Sequence, residues 1–244
     1  EITTRLVGSE MCIRDRSIVV DSPIAKEVKD ELIKKGAYFM SEDESRSLEK
    51  IIFDKHGNLK KEFIGKSPEF MGKIAGLNIE SRVKVLITTQ KFVSLNNPHS
   101  REKLCPILSF YVEDDWMHAC EKCIELLLSE RQGHTLIIHS NDKEVIKQFA
   151  LKKPVGRILV NTSGVFGSMG ATTNLFPSMT LGSGSVGKGM TSDNVSPMNL
   201  VYIRKVGYEV RDKEEFLNSI GMNSEANNIM EKYLDAPLDN MQLL

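Results

Sequence analysis

The sequence predicts an α/β fold with a mostly parallel sheet flanked by helices. Short apolar segments alternate with helical patterns along residues 17–161, a spacing typical of parallel strands joined by crossover helices. The apolar segments are continuous runs rather than alternating ones, as expected of strands that are covered on both faces. A chain of 244 residues has room for one large domain or two small ones.

Each predicted element has a local signal. The predicted strands are residues 17–22, 83–88, 107–112, 135–139, 157–161 and 200–206. The predicted helices are residues 23–36, 41–52, 68–76, 114–129, 141–151, 213–220 and 224–234. Ser41 and Glu44 form a capping-box pattern at the start of the second helix, and Gly36 predicts the end of the first. Asn141 or Asp142 is expected to cap the fifth helix.

A long segment rich in Gly, Ser, Thr, Asn and Met separates the last two predicted strands. Long loops without secondary structure of their own are uncommon in compact domains and are usually functional or disordered. We expect this loop to be anchored by its apolar side chains, which are Phe166, Leu175, Phe176, Met179, Leu181, Val186 and Met190. An anchored glycine-rich loop favours the close approach of a ligand or a partner subunit.

The composition excludes several classes of function. The 32 basic and 33 acidic residues leave a net charge of −1, which gives no electrostatic reason to bind nucleic acid or an anionic membrane. No apolar run approaches the roughly 18 residues of a membrane span, and the first residues lack the apolar core of a secretory signal. Four cysteines do not suggest a disulfide scaffold, so a reducing cytoplasm is expected.

Two motif matches carry little chemical information. Gly182, Gly184 and Gly187 formally satisfy GxGxxG, but a dinucleotide fingerprint must open a helix, and the following KGMTSDNVSP cannot. Cys120 and Cys123 form a CxxC inside a predicted helix without a second pair at zinc spacing. We expect Cys123 to belong to the core, Cys120 to be incidental, and neither to bind metal.

Three side chains are candidates for chemistry on residue type alone. His134 lies between a glycine and a predicted strand; it is either a structural or solvated histidine or the best-placed general base in the chain. Glu102 is by composition a loop carboxylate before a buried strand. Cys12 has Arg14 and Arg16 as basic neighbours, which is one requirement for a reactive thiolate.

Several blocks in order resemble one family. They are SIVVDS, KKGAYFMSEDE, KVLITT, SREKLCPILSFY, GHTLIIHSND, PVGRILVNT, GATTNLFPSMTLGSGS and TSDNVSPMNLVYIRKVGY. Together they resemble the C-terminal half of CoA-acylating aldehyde dehydrogenases of the acetaldehyde and propionaldehyde type. The resemblance covers about residues 17–210, which is far more specific than any single motif.

The resemblance implies a reaction. A cysteine thiolate attacks a short-chain aldehyde, hydride passes to NAD, and the acyl group of the resulting thioester passes to the thiol of coenzyme A. The same thioester serves the reverse reduction of an acyl phosphate or an acyl-CoA, so the direction stays open, as do the aldehyde chain length and the choice between NAD and NADP. Hydrolytic relatives use a glutamate that would lie upstream of this chain.

The resemblance also implies roles for particular residues. Counting back from Ser17 places the family nucleophile at Cys12. Glu102 matches the carboxylate that contacts the nicotinamide ribose, and His134 matches the histidine of the GHT motif, a proton relay. The loop that borders the substrate pocket matches Thr172, Thr173 and Asn174. Where the family often has a cysteine this chain has Ser183, which argues against an essential role for that serine.

The resemblance divides the chain into three parts. Residues 1–16 are atypical of the family, because RLVGSEMCIRDR surrounds the cysteine; they suggest an artefactual joined sequence, so a genuine and an accidental Cys12 both stay open. Residues 17–210 are the expected catalytic domain, ending in an oligomerisation strand at 200–208, and residues 211–244 are a helical extension. We expect a cytoplasmic enzyme fragment without its cofactor domain, in the free cytoplasm or in a bacterial microcompartment, or alternatively a non-catalytic assembly module.

Overall fold

The computed structural model describes residues 17–94, 96–101, 103–130, 134–185 and 187–219. Within these ranges the strands are β1 (Ser17–Asp21), β2 (Ala37–Phe39), β3 (Val85–Thr89), β4 (Ile107–Glu113), β5 (Thr135–Ile138) and β6 (Arg157–Val160). The helices are α1 (Ser22–Lys34), α2 (Glu42–Ile52), α3 (Pro68–Ile74), α4 (Trp116–Glu130), α5 (Lys143–Lys152), α6 (Gly164–Ser168) and α7 (Lys213–Ser219).

The strands form two parallel sheets. The larger sheet has four strands in the order β1-β4-β3-β2, and all of its pairings are parallel. Strands β5 and β6 form a separate parallel pair. The predicted α/β architecture with a mostly parallel sheet flanked by helices is therefore confirmed, although the strands are divided between two separate sheets.

The larger sheet is covered on both faces. Along β3, Leu86 belongs to one apolar cluster while Val85 and Ile87 belong to another, because successive side chains of a strand point to opposite faces. Helices α2 and α3 cover the first face with residues such as Leu48, and α1 covers the second with Leu32. Burial on both faces explains the continuous apolar runs in the sequence.

The predicted helix boundaries of α1 and α2 rest on local signals that the structure confirms. The Ser41 hydroxyl accepts from the Glu44 backbone N–H at 3.3 Å, and Glu44 Oε2 accepts from the Ser41 backbone N–H at 2.7 Å. This reciprocal capping box satisfies two backbone donors that a helix start leaves unpaired. Gly36 follows α1 with φ +103°, a conformation that glycine adopts without steric cost.

The smaller sheet packs on α4 and α5. Its core consists of Cys120 from α4, Ile138 from β5, and Val145 and Phe149 from α5. The Asp142 side chain caps α5 by accepting from the backbone N–H groups of the first turn, which confirms one of the two predicted caps. None of the helices in the described ranges is long and apolar enough to cross a membrane.

The predicted strand at residues 200–206 does not form within the described part of the single chain. No strand is assigned there in the described part of the chain, and residues such as Leu200 and Tyr202 are highly exposed. A strand needs a hydrogen-bonded neighbour, and none of the described residues pairs with this segment. The chain divides into two compact units after Asn199, and the predicted domain boundaries at residues 16 and 210 stay predictions. Helix α7 is close to the predicted 213–220, while the predicted helix 224–234 lies outside the described residues.

Candidate active site

The predicted site residues divide into two groups. Cys12 and Glu102 lie outside the described residues. His134 is half-buried directly before β5, and Thr172, Thr173 and Asn174 lie in the loop after α6. No hydrogen bond joins His134 to those three loop residues among the contacts of the described chain.

His134 belongs to a short polar chain that the strand register creates. Thr135 at the start of β5 pairs with Arg157 at the start of β6. The Nδ1 atom of His134 lies 3.0 Å from the Thr135 hydroxyl, and Arg157 Nη1 donates to the same oxygen at 3.3 Å. The register therefore places a guanidinium directly behind the side chain that contacts the candidate histidine.

Arg157 is the centre of the contacts that hold the glycine-rich loop. Its side chain is buried, with 6% of the residue exposed. Its Nη2 donates to Ser192 O at 3.0 Å, to Asn194 Oδ1 at 3.0 Å and to Gly182 O at 3.4 Å. Burial lowers the pKa of Arg157, because removing a cation from water disfavours the charged form. Multiple hydrogen bonds compensate for this desolvation.

Asn194 extends these contacts to the first half of the loop. Its buried amide donates to Ser168 O and to Phe176 O, both at 2.7 Å. We call Arg157 and Asn194, with the bonds that they make, the Arg157–Asn194 clamp. The clamp joins the start of β6 to four backbone carbonyls that are distant in sequence, one at the end of α6 and three in the loop.

The predicted apolar anchors of the loop are wrong for most of their members. The exposed ones are Leu175, Phe176, Met179 and Met190, Phe166 and Leu181 are only partly buried, and Val186 lies outside the described residues. Polar contacts hold the loop instead, because the Arg157–Asn194 clamp and the Ser178 hydroxyl, which donates to Val195 O at 2.7 Å, bond directly to its backbone.

The threonines of the predicted substrate loop are themselves fixed by hydrogen bonds. Thr173 Oγ1 donates to Gly167 O at 2.7 Å, and the hydroxyls of Thr172 and Thr162 lie 2.6 Å apart. Asn174 is exposed. These contacts order the stretch between α6 and the clamp.

A cleft of about 670 Å³ lies beside the clamp. Its lining residues are Gly156, Arg157, Ile158, Leu175, Phe176, Ser192, Asp193, Asn194, Ser196, Met198 and Asn199. This volume falls in the range of small-molecule sites, which combine apolar walls with a few polar groups. The described residues 187–196 contain no helix after Gly187, as the sequence of this segment predicts.

A buried polar cluster lies on the face of the larger sheet that α2 covers. The sequence analysis did not predict it. His99 is 1% exposed. Its Nε2 lies 3.2 Å from the Ser45 hydroxyl, which in turn lies 2.7 Å from the Thr88 hydroxyl. Lys103 Nζ donates to His99 O at 2.5 Å. Burial in the first place, and the charge of Lys103 in the second, lower the pKa of His99 to about 3.

The described cysteines are unlike a reactive thiol. Burial raises the pKa of Cys105 to about 12 and that of Cys123 to about 11. The expectation that Cys120 is incidental is wrong, since it is buried in the core at 4% exposure. Cys123 is partly buried and packs against the same core, as expected. Lys153 directly follows α5, and its side chain reaches into the same core. Its Nζ lies 2.6 Å from Cys120 Sγ. No group of three or more His, Cys, Asp or Glu that could hold a metal ion occurs among the described residues.

Comparisons with known proteins find similarity to aldehyde dehydrogenases. No family model matches the chain. Aldehyde-alcohol dehydrogenase 2 of Entamoeba histolytica is 31% identical over 205 residues, which are 80% of this chain and 24% of that protein. The crystal structure of an acetylating aldehyde dehydrogenase from Geobacillus thermoglucosidasius superimposes with a TM-score of 0.75 and 40% identity, covering 82% of this chain and 44% of that one.

A second crystal structure agrees with the first. It is a probable aldehyde dehydrogenase from Listeria monocytogenes EGD-e, with 45% identity and a TM-score of 0.76 over 84% of this chain and 45% of that one. The chain thus spans about a quarter of the curated relative's length and less than half of either solved structure. The chain is therefore similar to one part of these aldehyde dehydrogenases.

Proposed function

We propose that this chain is the thioester-forming part of an oxidoreductase that converts a short-chain aldehyde, NAD and coenzyme A to acyl-CoA and NADH. The observation that carries this proposal is its identity of 40% with an acetylating aldehyde dehydrogenase over 82% of the chain. The polar chain from His134 to Arg157 supports it, because it fixes the histidine of the GHT motif at the start of β5.

In this proposal Cys12, Glu102 and His134 each have a separate role in the reaction. Cys12 attacks the aldehyde carbonyl as a thiolate and forms a thiohemiacetal, and after oxidation it carries the acyl group as a thioester. When bound, NAD accepts the hydride and coenzyme A accepts the acyl group. Glu102 would hold the nicotinamide ribose, and His134 would relay a proton near the reacting sulfur.

In this proposal the cleft beside the Arg157–Asn194 clamp would hold the thiol-bearing arm of coenzyme A. Leu175, Phe176 and Met198 offer apolar surface, while Asn199 and Asp193 offer polar groups. An alkyl chain that contains amides requires this combination. The threonines of the neighbouring loop would border the aldehyde.

The segment Leu200 to Tyr208 would pair with a second copy of the chain. Its apolar side chains are exposed, with Tyr202 at 84%, and extended apolar backbone offers an edge for pairing. A homo-oligomer is the expected partner state, with no membrane or nucleic acid involved. The expected location is the cytoplasm, either free or in a bacterial microcompartment.

The first test measures acyl transfer in the absence of NAD. Acetyl-CoA is incubated with the 244-residue chain, Cys12 attacks the acetyl carbonyl, and the coenzyme A thiolate leaves. Mass spectrometry of peptides should find an acetyl group on Cys12 that hydroxylamine removes, and Cys12→Ser should abolish it. Cys105 and Cys123 are internal controls, because their raised pKa values leave them as thiols.

A synthetic peptide of residues 5–20 gives the background rate for the same cysteine without the fold. An unperturbed thiol is only about one-tenth ionised at pH 7.5, so activation should raise the rate by roughly tenfold. Acetylation of Cys12 no faster than in the peptide would refute its role as the nucleophile.

The second test uses a longer protein that contains this chain and an upstream cofactor domain. Acetaldehyde, NAD and coenzyme A should together give NADH and acetyl-CoA. Reduction of NAD that does not depend on coenzyme A would instead indicate a hydrolytic relative.

The alternative is a non-catalytic assembly module. The atypical flanks of Cys12 favour it, because the family pattern around the nucleophile is missing. Iodoacetamide discriminates between the two functions. Alkylation of Cys12 at the rate of a model thiol would favour the module, and faster alkylation would favour the enzyme.

A further inference from the structure

The Thr135 hydroxyl lies between a guanidinium and an imidazole. Arg157 Nη1 is 3.3 Å from Thr135 Oγ1, and His134 Nδ1 is 3.0 Å from the same oxygen. A guanidinium has donors and no acceptor. The contact with Arg157 therefore has one direction, in which Arg157 donates and Thr135 accepts.

The hydroxyl still has one hydrogen to donate. Among the described residues, the only acceptor within hydrogen-bonding distance of Thr135 Oγ1 is His134 Nδ1. A bond accepted from a cation polarises the hydroxyl and strengthens its own donation. The arrangement in which Arg157 and His134 both donate to one oxygen would leave the hydroxyl hydrogen without an acceptor among the described residues.

From this we propose that Thr135 donates to Nδ1 of His134, so that the neutral ring carries its hydrogen on Nε2. Thr135 and Arg157 are then positioning residues that fix the tautomer of His134. The strand register causes the arrangement, because it sets Thr135 opposite Arg157.

The tautomer determines what His134 does in the proposed reaction, and this part of the inference rests on the proposed function. A neutral ring with hydrogen on Nε2 donates a hydrogen bond there and cannot accept a proton at that atom. His134 would then stabilise negative charge on a carbonyl oxygen or a departing thiolate. It would not take the thiol proton of coenzyme A through Nε2.

The test is a nitrogen spectrum of the 244-residue chain and needs no catalytic activity. Long-range proton–nitrogen correlation spectra of uniformly ¹⁵N-labelled protein, at about pH 9 where an ordinary histidine is neutral, show which ring nitrogen carries the hydrogen. The chain has five histidines, and His134→Gln identifies the signals of His134. We expect a single Nε2–H tautomer, and an Nδ1–H tautomer would overturn the inference.

A matched pair of variants tests the role of the hydroxyl. Thr135→Val keeps the shape of the side chain and removes the donor, so the ring should become a mixture of both tautomers. Thr135→Ser restores the hydroxyl and should restore the single tautomer. A wild-type spectrum that Thr135→Val leaves unchanged would contradict the inference, and if this variant does not fold, the wild-type tautomer decides alone.

The two proposals fail separately. A fixed Nε2–H tautomer together with no acyl transfer to Cys12 would refute the proposed function and leave the inference intact. Acyl transfer with an Nδ1–H tautomer would do the reverse.

Discussion

Buried His99 should make the stability of the protein depend on pH. The side chain is neutral in the core, and burial with the nearby charge of Lys103 lowers its pKa to about 3. Its Nδ1 is buried with no hydrogen-bond partner in the described part of the chain. We therefore predict that the unfolded chain binds a proton on this residue well before the folded protein does.

The two pKa values give the sign and the size of the effect. Above the unfolded value of about 6.5 both states are neutral, and the contribution does not change with pH. Between about 6.5 and the folded value of about 3, the unfolded state binds the extra proton, so the free energy of unfolding falls as pH falls. At pH 4.5, about two units below the unfolded value, the expected loss is about 3 kcal/mol.

The measurement compares urea unfolding of the wild type and of His99→Gln at pH 7 and pH 4.5. Other groups also titrate in this range, so the difference between the two proteins isolates His99. The wild type should lose about 3 kcal/mol more than the variant, while His56→Gln, which removes an exposed histidine, should behave as the wild type does. Equal losses in the wild type and His99→Gln would refute the reasoning.

Three further changes test the loop and a helix start. Asn194→Ala leaves two backbone carbonyls and a guanidinium donor without their partner, so urea unfolding should show a loss of about 2–3 kcal/mol; a loss within experimental error would exclude the clamp. Gly170→Ala and Gly65→Ala both place alanine at positive φ, but only the first adds a Cβ that would overlap Leu175 O. Gly170→Ala should therefore cost about 1–3 kcal/mol more, and equal costs would show that the overlap is relieved. Ser41→Ala removes the capping box and should cost about 1 kcal/mol by calorimetry, whereas an unchanged melting temperature would count against the cap.

Local signals were enough to predict most of the fold. The capping box at Ser41, the apolar run of β4 and the cap of α5 involve residues within a few positions of one another. Strand β2 was missed because three residues, Ala37–Phe39, are too short to show a pattern. The strand predicted at 200–206 does not form within the described part of the single chain, because an apolar run indicates an extended backbone and does not say whether a neighbour pairs with it.

The site depended on contacts that no local pattern contains. Arg157 and Asn194 are 37 positions apart, and the sequence around either residue does not predict a contact with the other. His99 occurs at a loop-like stretch of sequence, although it reaches the core through Ser45, 54 positions away. The burial of Cys120 was missed because helical spacing puts both Cys120 and Cys123 near the apolar face, and the packing of α5 decides how far each is covered.

The bonding preference of the Arg157–Asn194 clamp has an evolutionary consequence. Four of its acceptors are main-chain carbonyls, those of Ser168, Phe176, Gly182 and Ser192. Every amino acid supplies such an oxygen. The way the loop is held therefore does not depend on which side chains line the neighbouring cleft. Those side chains can change in evolution to suit a different ligand while the backbone contacts that hold the loop stay the same.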